Sequence, residues 1–209
     1  DNPTYKAQIN LIREGSSGKL GWAFLTNNVG SPTERMRITS DGHLRVGITG
    51  SIGATAEGIE LRSDQGYIQT ARNNAGAVGH LLFWNPNGNV GSIVTSGSST
   101  SYNTSSDYRL KENVVDITDG ITRVKQLEPR KFNFIADAGN TVDGFLAHEA
   151  QAVVPEAVHG TKDEVDDEGN PVMQGIDQAK LVPLLTAALK EAIAKIEVLG
   201  TKVEALENA

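Results

Sequence analysis

The chain has 209 residues, a formal net charge of −7, no cysteine, 5% aromatic residues and 22 glycines. Without cysteine there are no disulfides, thiolate metal centres or cysteine nucleophiles, and without a basic face there is nothing to hold a phosphate backbone, so nucleic acid is not an expected partner. No run of 18 apolar residues occurs and the first residues lack a basic patch followed by an apolar core, so neither a membrane span nor a signal peptide is expected.

Charge divides the chain. Residues 1–105 hold eight Lys and Arg against seven Asp and Glu, whereas residues 106–209 hold eleven against nineteen; glycine splits fifteen to seven over the same cut. In the first part, Ala7–Ile12, Met36–Thr39, His43–Val46, Gly58–Leu61 and Gly66–Gln69 mostly alternate with period two and predict short strands. Ser40-Asp41-Gly42, Ser63-Asp64-Gln65-Gly66 and Asn85-Pro86-Asn87-Gly88-Asn89 are turn sequences between them. The segments Arg37–Leu44 and Glu60–Tyr67 look alike, a loose repeat suggestive of stacked β-units. Large core formers are few: Trp22, Phe24, Tyr67, Phe83 and Trp84. A chain with so little to bury gains a core from copies of itself, so residues 1–105 are expected to be a β-rich fibre segment rather than a lone open β-domain.

In the second part, Arg130–Phe134 alternates like a strand, and Gly144–Val154 reads as a strand end entering a short helix that Pro155 stops. Asp163–Pro171 is an acidic turn, expected to tip a hairpin between Ala157-Val158 and Val172-Met173. It is no calcium loop, because Val165 stands at the third ligand position. His148-Glu149 lacks the second histidine of a zinc-binding helix, so His148 is read as structural and no metal or other cofactor is expected. From Val182 the apolar spacing follows a heptad, with Val182, Leu189, Ile196 and Val203 at a and Leu185, Ala192, Leu199 and Leu206 at d. Lys202 and Glu207 fall at g and the following e, and Gly200 is a flaw worth about 1 kcal/mol against alanine. Such a stripe suits either an amphipathic helix on its own domain's core or, the reading preferred here, self-association. The fold class expected for the whole is α+β: a β-rich trimeric fibre segment (1–105), then a mixed α/β domain (106–209) ending in a long coiled-coil-like helix.

At the junction stands Thr104-Ser105-Ser106-Asp107-Tyr108-Arg109-Leu110-Lys111-Glu112-Asn113-Val114. This string resembles the entrance to the intramolecular chaperone auto-processing domain found at the C-termini of phage tailspikes, tail fibres and endosialidases, and also in myelin regulatory factor. Leu127–Phe132, Gly144–Ala150 through Pro155-Glu156, and Ile176-Asp177 with Leu181–Leu185 resemble three later stretches of that family, in order. His148 and Ile176-Asp177-Gln178 depart from its usual residues, away from the reactive pair. The resemblance covers about 106–209. It implies a domain that gathers three chains, promotes folding of the fibre before it, and is then cut away by a serine and a lysine five residues later, here Ser106 and Lys111. The scissile bond would be Ser105–Ser106, with Asp107 and Arg109 as supporting neighbours. The fibre half would remain on the virion, folded first in the host cytoplasm, and would bind a host surface receptor, a glycan being the natural class. The alternative is a structural adhesin whose trimerisation domain stays attached. A glycan hydrolase in the fibre half is disfavoured, since its few Asp and Glu show no pairing pattern.

A serine hydroxyl is a weak nucleophile until a base removes its proton. Lysine does this only when neutral, and bringing it from a pKa of about 10.4 to near 7 costs on the order of 4 kcal/mol. Burial achieves this and a nearby cation, for which Arg109 is the candidate, adds to it. A five-residue spacing puts the two side chains about 140° apart on a helix and on opposite faces of a strand. The pair therefore needs a bend, or must meet across chains. Without a partner, Ser106 would instead cap the turn beginning at Asp107.

Overall fold

The structure is a computed structural model that describes residues 6–15, 18–27 and 30–208. The chain divides into two compact units between Lys111 and Glu112, one built of sheets and the other of short strands and helices, an α+β architecture.

In the first unit, β1 (Lys6–Glu14), β2 (Lys19–Asn27), β3 (Thr33–Ile38), β4 (Leu44–Val46), β5 (Gly58–Arg62) and β6 (Tyr67–Ala71) form an antiparallel sheet in chain order. Gly42 (φ 82°) and Gly66 (φ 68°) close the β3–β4 and β5–β6 turns in a left-handed conformation that a Cβ would strain. The two look-alike segments are thus successive hairpins, and their turns touch: the Ser63 hydroxyl donates to the Asp41 carbonyl at 2.8 Å, and its backbone N–H donates to His43 Nδ1 at 3.3 Å.

Register decides what each face of this sheet carries. Cross-strand partners run Ile9–Phe24–Met36–Val46–Ile59 in one row and Leu11–Trp22–Ile38–Leu44–Leu61–Ile68 in another. Both rows stand on the same face, because side chains two residues apart share a face. The row between them, Asn10–Ala23–Arg37–Arg45–Glu60–Gln69, lies on the other. The apolar face is the open one: Ile9, Leu11, Trp22, Ile59 and Ile68 are exposed, Ile68 to 66%. The polar face is closed at Ala23 and Glu60, which are fully buried, while Asn10 at its edge is exposed. Arg45 Nε donates to Glu60 Oε1 at 2.7 Å, and its other nitrogens reach the Thr49 carbonyl and the Ser51 hydroxyl.

This buried pair makes the sheet acid-sensitive. Burial alone pushes the Glu60 carboxyl up, but the Arg45 hydrogen bond, the Ile52 N–H and the charges of Arg45 and Arg62 outweigh it and hold the group below the usual carboxylate range. A group whose folded pKa is depressed contributes stability above its unfolded pKa, about 4.3, and loses it as pH falls through the folded value. Trp22 and Trp84 both lie in this unit, so tryptophan emission during urea unfolding reports on it alone. Stability read this way is expected to fall below about pH 4. Glu60→Gln is expected to be less stable than the parent at pH 7, with the difference shrinking towards pH 2; a difference that stays constant with pH would refute the assignment.

The strands β7 (Val78–Asn85), β8 (Gly88–Ser96) and β9 (Ser99–Thr104) form a separate antiparallel meander. The Asn-Pro-Asn-Gly sequence makes its first turn, with the Asn87 N–H donating to Asn85 Oδ1 at 2.8 Å. Alternation does not reveal this sheet: β7 carries the unbroken run Leu81-Leu82-Phe83-Trp84, all exposed, and β9 is Ser-Thr-Ser-Tyr-Asn-Thr.

The second unit has a core of its own. In chain order it contains α1 (Gly120–Val124), β10 (Arg130–Asn133), β11 (Thr141–Gly144), α2 (Ala147–Gln151), β12 (Val158–His159), β13 (Gly175–Ile176) and α3 (Val182–Glu207). β10 pairs with β11 and β12 with β13. Leu127, Val153, Val154, Ala157, Leu181 and Leu184 form the core, with Val124, Phe145 and Val158 packed on it. The acidic tip forms as expected, but its hairpin closes on Gly175-Ile176 rather than Val172-Met173. Asp166 organises the loop, accepting from the Asn170 and Glu168 N–H groups at 2.8 and 3.0 Å.

Two stripes run along α3. Leu184 and Ala188 are buried against the unit's own core, just after buried Leu181. Val182, Leu185, Leu189, Ile196, Leu199, Val203 and Leu206, all at a or d of the heptad, are exposed. The core and heptad readings of this helix therefore describe different faces of it. The inward face is pinned at α1, whose first amides donate to the Glu191 carboxylate, Gly120 N at 2.6 Å and Ile121 N at 3.2 Å.

Candidate active site

The junction motif begins where β9 ends. Ser105 continues the ladder, its N–H donating to the Val90 carbonyl at 3.1 Å, and its hydroxyl donates to the Asn89 carbonyl at 2.9 Å. Asp107 then caps a 3-10 turn, Tyr108–Leu110, by accepting from the Arg109 N–H at 2.9 Å. The turn is closed by Leu110 N–H to the Asp107 carbonyl and Lys111 N–H to the Tyr108 carbonyl, both at 3.1 Å.

This turn is the bend that a five-residue spacing requires. It carries Lys111 back so that its Nζ donates to Ser106 Oγ at 2.8 Å within one chain. Asp107, one residue later than Ser106, takes the capping role, which leaves the Ser106 hydroxyl to the lysine. Arg109 is not a free cation beside Lys111: its Nε and Nη2 donate to the two Asp107 carboxylate oxygens at 2.9 and 2.7 Å. That side-chain contact, then the Arg109 backbone N–H and the Lys111 charge, hold the Asp107 carboxyl below its ordinary range. Ser105, Ser106, Asp107, Arg109 and Lys111 are all exposed in the single chain.

Chemically, an amine within hydrogen-bond reach of a hydroxyl next to a peptide bond is a base–nucleophile arrangement. The part played by Asn89 and Val90 is not legible in the sequence, since they lie sixteen and fifteen residues before Ser105 and no local pattern links them. The Asn-rich turn beside them is the one signal of their presence.

The downstream motifs gather in the second unit. Leu127, Ala150 and Leu181, one from each, are buried, and Arg130 at the start of β10 forms a two-pronged pair with Glu149 of α2 at 3.0 and 3.1 Å. His148 is exposed on α2. Among the described residues no His, Asp and Glu side chains are grouped to hold a metal ion, and no helix is long and apolar enough to cross a membrane.

No curated protein matches the chain. A family model does, beginning at Ser106 and taking in the Ser106–Lys111 turn, β10, β11 and α2. Residues 106–159 match the Peptidase_S74 family, the chaperone of endosialidase, which is the intramolecular chaperone family the junction motif resembles.

Proposed function

We propose that this chain is the end of a phage tail fibre, in which residues 106–209 gather three copies, promote folding of the β-rich segment 1–105, and are then released by one self-inflicted cut between Ser105 and Ser106. The observation that carries the reading is the 2.8 Å contact between Lys111 Nζ and Ser106 Oγ, inside the stretch matched by the chaperone family. Two open apolar surfaces support assembly: the two-row face of the six-stranded sheet and the a/d stripe of α3. Neither has a cover among the described residues of its own unit, and apolar area gains about 25 cal/mol per Å² when removed from water.

The reaction balances as a hydrolysis. Neutral Lys111 removes the Ser106 hydroxyl proton as Oγ attacks the Ser105 carbonyl carbon through a five-membered ring. The C–N bond breaks, and the lysine's ammonium returns the proton to the departing Ser106 amine. Water then cleaves the ester, leaving a Ser105 carboxylate and a free Ser106 amine and hydroxyl. The exposure of Lys111 in one chain fits a cut that waits for assembly, because a neighbouring copy laid over it would supply the desolvation that favours the neutral amine. The fibre half would stay on the virion and meet the host receptor, with a surface glycan as the proposed class.

Intact mass and N-terminal sequencing of freshly expressed protein test this. Two fragments in equal amount are expected, the C-terminal one starting at Ser106. A chain that assembles in threes and never splits would favour the permanently attached clamp, and a monomer would end both readings.

A further inference from the structure

We infer that Ser105 is a positioning residue through which the folded state of the last fibre hairpin controls the cut; this rests on the Ser106–Lys111 reading above. Ser105 supplies the carbonyl carbon to be attacked, yet it is no part of the base–nucleophile pair. Its two hydrogen bonds both run to β8, the N–H to the Val90 carbonyl and the hydroxyl to the Asn89 carbonyl. Those two acceptors line up with Ser105 only when β8 and β9 have paired, since the Ser105 bonds extend the ladder beyond Gly91–Thr104. Asn89 also sits opposite Trp84 in the neighbouring β7–β8 pairing, and its own side chain accepts from the Gly91 N–H at 3.1 Å.

The consequence for reactivity follows from geometry. Attack requires the carbonyl carbon near Oγ at a defined angle, and small misplacements cost large factors in rate. On the downstream side, the capped turn holds Ser106 and Lys111 together. On the upstream side, the two bonds to β8 are what restrain rotation of the Ser105 carbonyl. With the hairpin unformed, the turn alone still pairs hydroxyl and amine, but the carbonyl swings freely past them. The cut is thereby licensed by closure of the segment that precedes it, so that release follows fibre folding at this point rather than competing with it.

The test measures the first-order rate of cutting in the full chain after refolding from denaturant, by denaturing gel. Ser105→Ala is expected to slow the cut by about 3- to 10-fold, the worth of one hydrogen bond, and Ser105→Thr, which keeps the hydroxyl, to restore most of it. The shape of the pH–rate profile stays unchanged, since no proton donor or acceptor of the reaction is altered. Gly97 takes φ 57° in the β8–β9 turn, at the other end of that hairpin from Ser105, so Gly97→Val strains the hairpin without altering Ser106 or Lys111. It is expected to slow cutting in the parent and to do so less in a Ser105→Ala background. Equal slowing by Gly97→Val in both backgrounds, or parental cutting by Ser105→Ala, overturns the gating role while leaving the dyad intact. Continued cutting by Ser106→Ala overturns the dyad itself.

Discussion

Ser106→Ala and Lys111→Ala are each expected to leave the chain in one piece, with cutting slowed at least about a hundredfold, the scale on which a positioned base or a nucleophile contributes. The charge-preserving Lys111→Arg variant separates two explanations of the lysine's role. A guanidinium keeps a positive charge near Ser106 but does not give up its proton under these conditions. Lysine acting as a base therefore predicts an uncut Lys111→Arg chain, whereas lysine acting as a fixed cation predicts cutting close to the parent rate. A time course on denaturing gels reads all three variants. Light scattering on the uncut Ser106→Ala protein shows whether assembly is independent of the chemistry, as a chaperone that acts before it is released requires. Lys111→Arg cut as fast as the parent would remove the base from the mechanism.

Gly120→Ala should destabilise the second unit by about 3 kcal/mol, at the upper end of what overpacking usually costs. A Cβ at this position would run into the backbone nitrogen of Ala188 and lie 2.8 Å from Ala187 C and Ala188 Cα. None of those atoms belongs to a side chain that can swing away, so α1 would have to lift from α3. Lifting it would also pull the Gly120 and Ile121 amides from the Glu191 carboxylate. Gly200, on α3, provides the contrast. Nothing lies within 4 Å of a Cβ there, and Gly200→Ala should stabilise the helix by about 1 kcal/mol. Urea titration followed by far-ultraviolet dichroism measures both, and a Gly120→Ala midpoint equal to the parent's would show that α1 and α3 are not held this closely.

Local chemistry makes much of this fold legible in the amino-acid sequence. Ser40–Gly42 and Ser63–Gly66 announce hairpins because glycine alone relieves the turn, and the steps of three and four from Val182 announce the long helix. The Ser106–Lys111 pairing is legible as a motif. Its geometry depends on a single turn of 3-10 helix whose cap is a residue adjacent to the serine, and residue spacing does not distinguish Ser106 from Asp107 in that role. The strands β7–β9 are hidden because period-two alternation fails where both faces carry apolar groups, as at Leu81–Trp84, and where almost no apolar group is present, as in Ser99–Thr104. Least visible is the inversion of the six-stranded sheet. The alternation of Ile9, Leu11, Trp22 and Phe24 marks one apolar face, but only register shows that Arg45 and Glu60 meet beneath the other and close it. Contacts made at long range, such as Ser105 with Asn89 or Glu191 with Gly120, leave no periodic trace at all.

The division of α3 into inward and outward stripes makes the helix a modular part. Leu184 and Ala188 anchor it to its own unit, while Leu189, Ile196, Leu199 and Val203 face away and take no share in that anchoring. The outward residues can therefore be rewritten, to change or abolish the proposed association of copies, with the folded domain expected to survive.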